Sequence, residues 1–176
     1  MSKKACIIFS LWTSFFSALF YHIYGMMPDL FGSFGIDFAA CGWIMFVCLA
    51  IYFGMGLTPK DFPSAICSAA AGLAWGQFDF FLGNLFGKIP GVGPAAAMFA
   101  SILIATTITM FIHIYVLEKT PFRQMPFIFA GVCLTFSQGG TNEPALITTF
   151  IFGLVLCTIC TFMLGYATTK WPRSDS

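Results

Sequence analysis

Hydrophobic residues run through this chain in long blocks and not in strand-like alternation. Six blocks cover about 5–27, 39–57, 64–86, 94–116, 126–142 and 145–168. They reach or approach the roughly 20 apolar residues that a helix needs to cross a bilayer. The breaks between them carry turn chemistry. Pro28-Asp29 closes the first block, and Thr58-Pro59-Lys60-Asp61-Phe62-Pro63 joins the second to the third. Ile89-Pro90-Gly91-Val92-Gly93-Pro94 and Thr120-Pro121-Phe122-Arg123-Gln124-Met125-Pro126 make the next two joints. The pattern predicts an all-α integral membrane protein, a six-span helical bundle forming one multi-span domain over residues 1–176.

Two blocks break off at polar residues. Pro126 to Phe136 is almost wholly apolar, then Ser137, Gln138, Gly139, Gly140, Thr141, Asn142 and Glu143 follow. Pro63 to Phe78 has a similar plan and ends at Trp75-Gly76-Gln77. The joints before them also match, each with Thr-Pro, a basic residue and a second Pro, at a shift of about 62 residues. This echo is compatible with a parallel internal repeat and with shortened third and fifth helices, a construction common in transporters.

Small residues recur every fourth position, which places them along one helix face. One stripe is Ser64, Ser68, Gly72 and Gly76. A second is Ala97, Ser101, Ala105, Thr109 and His113, and a third is Gly153, Cys157, Thr161, Gly165 and Thr169. Such faces let helix backbones approach closely in lipid. The same narrow faces would also border a conduit for a small solute.

Composition removes the soluble classes. The chain is 59% hydrophobic, 18% aromatic and only 9% charged, unlike any soluble domain of its size. Charge then orients the spans. With six spans and both termini cytoplasmic, Lys3, Lys4, Lys60, Lys119, Arg123, Lys170 and Arg173 lie inside and only Lys88 outside. A rival topology makes 63–77 and 126–141 re-entrant and leaves six of the eight basic residues inside. The first block is longer than a signal peptide and ends in Tyr21-His22-Ile23-Tyr24 without a small-x-small site, so it reads as an uncleaved span. A net charge of +1 without a basic patch gives nucleic-acid binding no support. The seven cysteines sit mostly within spans, and Cys157-Thr158-Ile159-Cys160 lacks nearby His or acid, so it reads as packing.

Asp79 is the carboxylate placed within a span. A charge at depth marks a functional candidate; alternatively the third helix ends near Gln77 and Asp79 lies in the headgroup layer. Gln77 and Gln138 offer amide donors and acceptors at matched positions, with Trp75 and Phe136 as apolar walls. Ser137 and Asn142 complete a candidate substrate-binding set of Trp75, Gln77, Asp79, Ser137, Gln138 and Asn142. Helix capping accounts for much of Gly139 to Pro144. His22 and His113 are too few and too separated for a metal site, and each reads as a histidine bonded to a neighbouring helix. No catalytic constellation is visible, so no enzyme activity, cofactor or metal is expected.

The run Pro126-Phe127-Ile128-Phe129-Ala130-Gly131-Val132-Cys133-Leu134-Thr135-Phe136-Ser137-Gln138-Gly139 resembles the most distinctive segment of the YcdZ-like bacterial inner-membrane proteins. The matching positions are Pro126, Gly131, Cys133, Thr135, Phe136 and Gly139, with Gln138 close to register. The likeness extends over Ala145 to Lys170 and weakly over Tyr52 to Trp75, and it lapses from Phe78 to Pro94. It implies a small multi-span protein of the bacterial inner membrane and transfers no functional residue. The resulting expectation is a small-solute channel or permease for a neutral or weakly charged solute, assembled as a homo-oligomer in the lipid bilayer. A non-transporting accessory or scaffold protein is the alternative.

Overall fold

The computed structural model describes residues 1–31 and 35–172, so Arg173 of the charge argument lies outside the described residues. The helices are α1 (Lys3–Gly25), α2 (Met27–Phe31), α3 (Ile44–Gly54), α4 (Phe62–Phe86), α5 (Pro94–Phe111), α6 (Met125–Ser137) and α7 (Glu143–Lys170). α5 continues into a π-helical turn, Ile112–Val116. No strand occurs among the described residues.

Among the described residues, four segments are long and apolar enough to cross a membrane: Lys3–Asp29, Pro59–Phe86, Pro94–Val116 and Glu143–Lys170. Ala39–Gly54 and Met125–Ser137 are shorter apolar helices. The 13 residues of α6 reach about 20 Å at the helical rise, short of a hydrocarbon core about 30 Å thick. Six apolar blocks therefore become four long helices and two short ones.

The shortening falls on the second and fifth blocks, not the third. α4 runs unbroken for 25 residues through Gly76, Gln77 and Asp79, which removes the re-entrant alternative for 63–77. Gly76 does not break the helix, because its missing side chain admits Thr135 of α6: a Cβ there would lie 2.5 Å from the Thr135 Cβ.

Both short helices stop the same way. The Leu57 N–H donates to Tyr52 O (3.0 Å) beyond α3, and Gly56 turns the chain at φ 64°. The Gly140 N–H donates to Thr135 O (3.0 Å) beyond α6, and Gly139 turns it at φ 61°. A left-handed glycine with this long return bond ends a helix and satisfies its last carbonyls. The run Val-Cys-Leu-x4-Gly occurs in both, at Val47-Cys48-Leu49 to Gly54 and at Val132-Cys133-Leu134 to Gly139, with the turning glycine two residues beyond the first run and at the end of the second.

The contacts group the chain into two units, residues 1–62 with 144–176, and residues 63–143. In the first, α1 is antiparallel to α7: the Ser2 N–H donates to Trp171 O (3.3 Å), and the Thr149 hydroxyl donates to the Tyr24 hydroxyl (2.5 Å). Phe9 against Phe53 and Tyr21 against Phe46 make α1 antiparallel to α3 as well. α3 thus runs parallel to α7, so close that a Cβ on Gly153 would lie 2.8 Å from Cys48 Sγ.

In the second unit α5 is antiparallel to α4, pairing Ser101 with Asp79 and His113 with Trp75. The short helix α6 lies parallel to α4. Ser68 accepts the Gln124 N–H (3.0 Å), Gly72 faces Ile128 and Gly131, and Gly76 faces Thr135. Each unit is therefore built from one short helix laid parallel on a long one through glycine, with a second long helix antiparallel to both.

The two segments of the echo at a shift of about 62 residues are packing partners. Residues 63–78 and 126–139 lie side by side in register, and both need small residues where they touch. The small-residue stripes do become buried faces: Ala97, Ser101, Ala105, Thr109 and His113 are all buried, as are Gly153, Cys157 and Thr161. Gly165 and Thr169, at the end of the third stripe, are exposed. Cys157 and Cys160 are buried free thiols.

Candidate functional site

α4 carries the polar residues singled out in the sequence on two different faces. Trp75 and Asp79 stand four residues apart and share the face toward α5. Gln77 lies between them in sequence, about 200° around the helix from each at 3.6 residues per turn, and faces the loop between α6 and α7.

The loop face is a closed set of hydrogen bonds. The Gln77 amide donates to Gly140 O (3.1 Å) and to Glu143 Oε1, while the Asn142 amide donates to Gln138 Oε1 (3.2 Å). The backbone between them is left-handed at Gly139, Gly140 and Asn142. Gly140 also needs its missing side chain, since a Cβ there would lie 2.9 Å from the Phe80 ring. The Phe80 ring in turn packs against Phe136 in a tilted arrangement, with ring centroids 4.9 Å apart. The structure thus brings Gln77, Gln138 and Asn142 together, with Glu143 added, but their hydrogen bonds hold the loop. Ser137 is exposed and donates back to Leu134 O of its own helix (2.8 Å).

On the α5 face, the Trp75 indole N–H donates to His113 Nε2 (2.9 Å), and His113 Nδ1 lies 2.6 Å from Phe122 O. Because Nε2 accepts, the proton sits on Nδ1 and is donated to that carbonyl. A neutral imidazole therefore ties α4, the π-helical turn and the loop before α6, as expected of a histidine bonded to a neighbouring helix. Trp75→Phe and His113→Phe should each cost about 1–3 kcal/mol by leaving a buried polar group unpaired. The double variant should cost less than the sum, because the Trp75–His113 bond is lost only once and the Phe122 carbonyl alone is left without its donor. Unfolding in detergent micelles, followed by circular dichroism, measures this cycle.

Asp79 lies one turn further along and is 3% exposed. It sits inside an unbroken helix, which removes the reading that places it in an outer connector. The Ser101 hydroxyl donates to the Asp79 backbone carbonyl (2.5 Å) and stands 3.4 Å from Oδ1. No donor reaches Oδ2 among the described residues. The carboxylate instead lines a cavity of about 360 Å³ with Ile102 and Thr106 of α5 and Phe129, Val132, Cys133 and Phe136 of α6. A carboxylate at membrane depth costs about 2.5–3.5 kcal/mol on insertion scales. Here no Lys, Arg or His lines the same cavity to offset it.

A groove of about 810 Å³ in the first unit, bordered by Phe9, Phe53, Leu57 and Phe162, has no acidic, lysine, arginine or histidine lining. A cavity of about 380 Å³ in the second unit, lined by Phe80, Asn84, Lys88 and Met98, carries a basic group, whereas the Asp79 cavity carries a buried carboxylate. Of its lining, sequence reasoning had Asp79 and Phe136. Ile102, Thr106, Phe129, Val132 and Cys133 had no signal as a set. They come from two helices whose register only packing reveals.

No curated protein and no solved structure matches the chain. A family match spans residues 11–172, from within α1 to the end of α7, and so takes in both units and the Asp79 cavity. By that match the chain belongs to DUF1097, a family of proteins of unknown function.

Proposed function

We propose that the protein is a small-solute permease of the bacterial inner membrane that handles a neutral or weakly charged solute at the Asp79 cavity. The observation that carries this reading is Asp79, a carboxylic acid buried in a helix long and apolar enough to cross a membrane and lining a cavity. Ionisable groups in that setting mark solute or proton pathways. The shared make-up of the two units supports it, since transporters are often assembled from related halves. The YcdZ-like character of residues 126–139 supports the inner membrane, and the clustering of Lys3, Lys4, Lys60, Lys119, Arg123 and Lys170 supports cytoplasmic termini. Assembly as a homo-oligomer would complete so thin a set of helices. Of the six residues proposed for solute binding, Asp79 keeps that role, while Trp75, Gln77, Gln138 and Asn142 hold the structure around it and Ser137 stands apart.

Flux of a panel of small metabolites into proteoliposomes tests the proposal. At least one solute should enter faster than in protein-free vesicles, and Asp79→Asn should remove that excess. Absence of flux for every solute would overturn the permease and leave the accessory-protein reading, for which a stoichiometric co-purifying partner is the corresponding observation.

A further inference from the structure

We propose that the Asp79 cavity takes a small organic monoammonium ion, a primary amine or quaternary ammonium carrying one positive charge. The inference rests on the permease reading and names the solute class of the same site.

Charge comes first. The lining contains one carboxylate and no basic group. An anion there would add repulsion at low dielectric, and a dication would leave an excess charge unpaired. One monovalent cation makes the occupied site neutral. Coordination then favours an organic cation over a metal ion. Hard metal ions take six or more oxygen ligands, whereas the side-chain oxygens here come from Asp79 and Thr106 alone. Among the described residues, no group of three or more His, Cys, Asp and Glu converges anywhere.

The rest of the lining suits the carbon part of such an ion. Ile102 and Val132 are aliphatic, and Phe129 and Phe136 present aromatic rings. Aromatic faces attract ammonium groups through the ring quadrupole. A volume of about 360 Å³ lies at the small end of the range for ligand pockets. The cavity borders exposed positions, Ile102, Phe129 and Cys133, so it opens sideways between α5 and α6.

Charge balance gives the exchange rule. A proton on the carboxylate neutralises the empty site, and an ammonium neutralises the filled one. Each ammonium bound displaces one proton from an Asp79 oxygen, and no other bond changes. Cys133 is the other titratable group in the lining.

Calorimetry on the detergent-solubilised protein tests this with benzylamine, benzyl alcohol and benzoate, three ligands of matched size and different charge. Benzylamine should bind at least about tenfold tighter than benzyl alcohol, as expected of a hydrogen bond to a charged group, and benzoate should not bind. Titration in two buffers of different ionisation enthalpy should show one proton released per benzylamine. Phe129→Ala should weaken benzylamine about threefold, as a lost cation–π contact would. Asp79→Asn should remove the preference over the alcohol. A readout on the wild-type chain needs no variant to fold: benzylamine should slow maleimide modification of Cys133, read by mass spectrometry, while exposed Cys6 reacts unchanged. Equal affinity for amine and alcohol, or no protection of Cys133, would overturn the ammonium assignment. Flux of a neutral solute in that case would leave the permease standing. Benzylamine binding with the expected selectivity but no flux of any solute would instead sustain the site and overturn the permease.

Discussion

Gly131→Leu is expected to abolish the native packing of the second unit. A Cβ on Gly131 would lie 2.7 Å from the Ala69 carbonyl oxygen and from Gly72 Cα. On the facing helix, a Cβ on Gly72 would lie 2.2 Å from the Ile128 carbonyl oxygen. These neighbours are backbone, which cannot rotate aside as a flexible side chain would. Overpacking a well-filled contact costs about 1–3 kcal/mol even where side chains can adjust. Here α4 and α6 must separate, and that would also move Gly76 from Thr135 and Ser68 from the Gln124 amide. The loss should therefore exceed about 4 kcal/mol, the range reserved for severe core damage. Gly131→Ala should fall between. Gly165→Leu is the control, because a Cβ there meets nothing within 4 Å, and it should change stability by less than about 0.5 kcal/mol. Melting by circular dichroism, with size-exclusion profiles, compares the three. A Gly131→Leu protein that melts with the control would show that α4 and α6 are not packed through these glycines.

That contact also shows what could be read in the sequence. Repetition of small residues every fourth position is a property of one helix, so the buried faces at Gly72–Gly76 and Ala97–His113 were legible. Which helix each face meets is a property of two, and it was not. The likeness between 63–78 and 126–139 was legible as a possible repeat, whereas the packing of the two segments in register was not. Helix ends were blurred for a related reason. Hydrophobicity carries on past Gly54, where α3 stops, and only the left-handed glycine at 56 with its return bond ends the helix. The polar candidates followed the same logic. Trp75, Gln77 and Asp79 are close in sequence, but helical geometry turns Gln77 away from the other two, toward the loop that it closes. Asp79 stood out because a charge inside an apolar block is costly wherever its helix packs. Its cavity needed the crossing of α5 and α6.

Asp79→Leu is expected to stabilise the fold while removing the transport proposed for this site. The Ser101 hydroxyl donates chiefly to the backbone carbonyl of residue 79 (2.5 Å), which any side chain retains. Removing the carboxylate therefore leaves no donor without a partner. Leucine is of similar size and would extend its branched end among Ile102, Val132 and Phe136. The cost of holding a carboxylate at depth, about 2.5–3.5 kcal/mol on insertion scales, disappears. Part of it should return as stability, about 1–2 kcal/mol, because an apolar side chain replaces a buried polar group that, among the described residues, has no donor of its own beyond Ser101. Solute flux should fall to the level of protein-free vesicles. Asp79→Glu keeps the charge on a longer arm and should keep part of the flux. A carboxylate whose role was structural would show the reverse order, with leucine the least stable of the three. Opposite movement of melting temperature and flux in Asp79→Leu is the signature of a site where stability is given up for function. A parallel fall in both would remove Asp79 from the solute path.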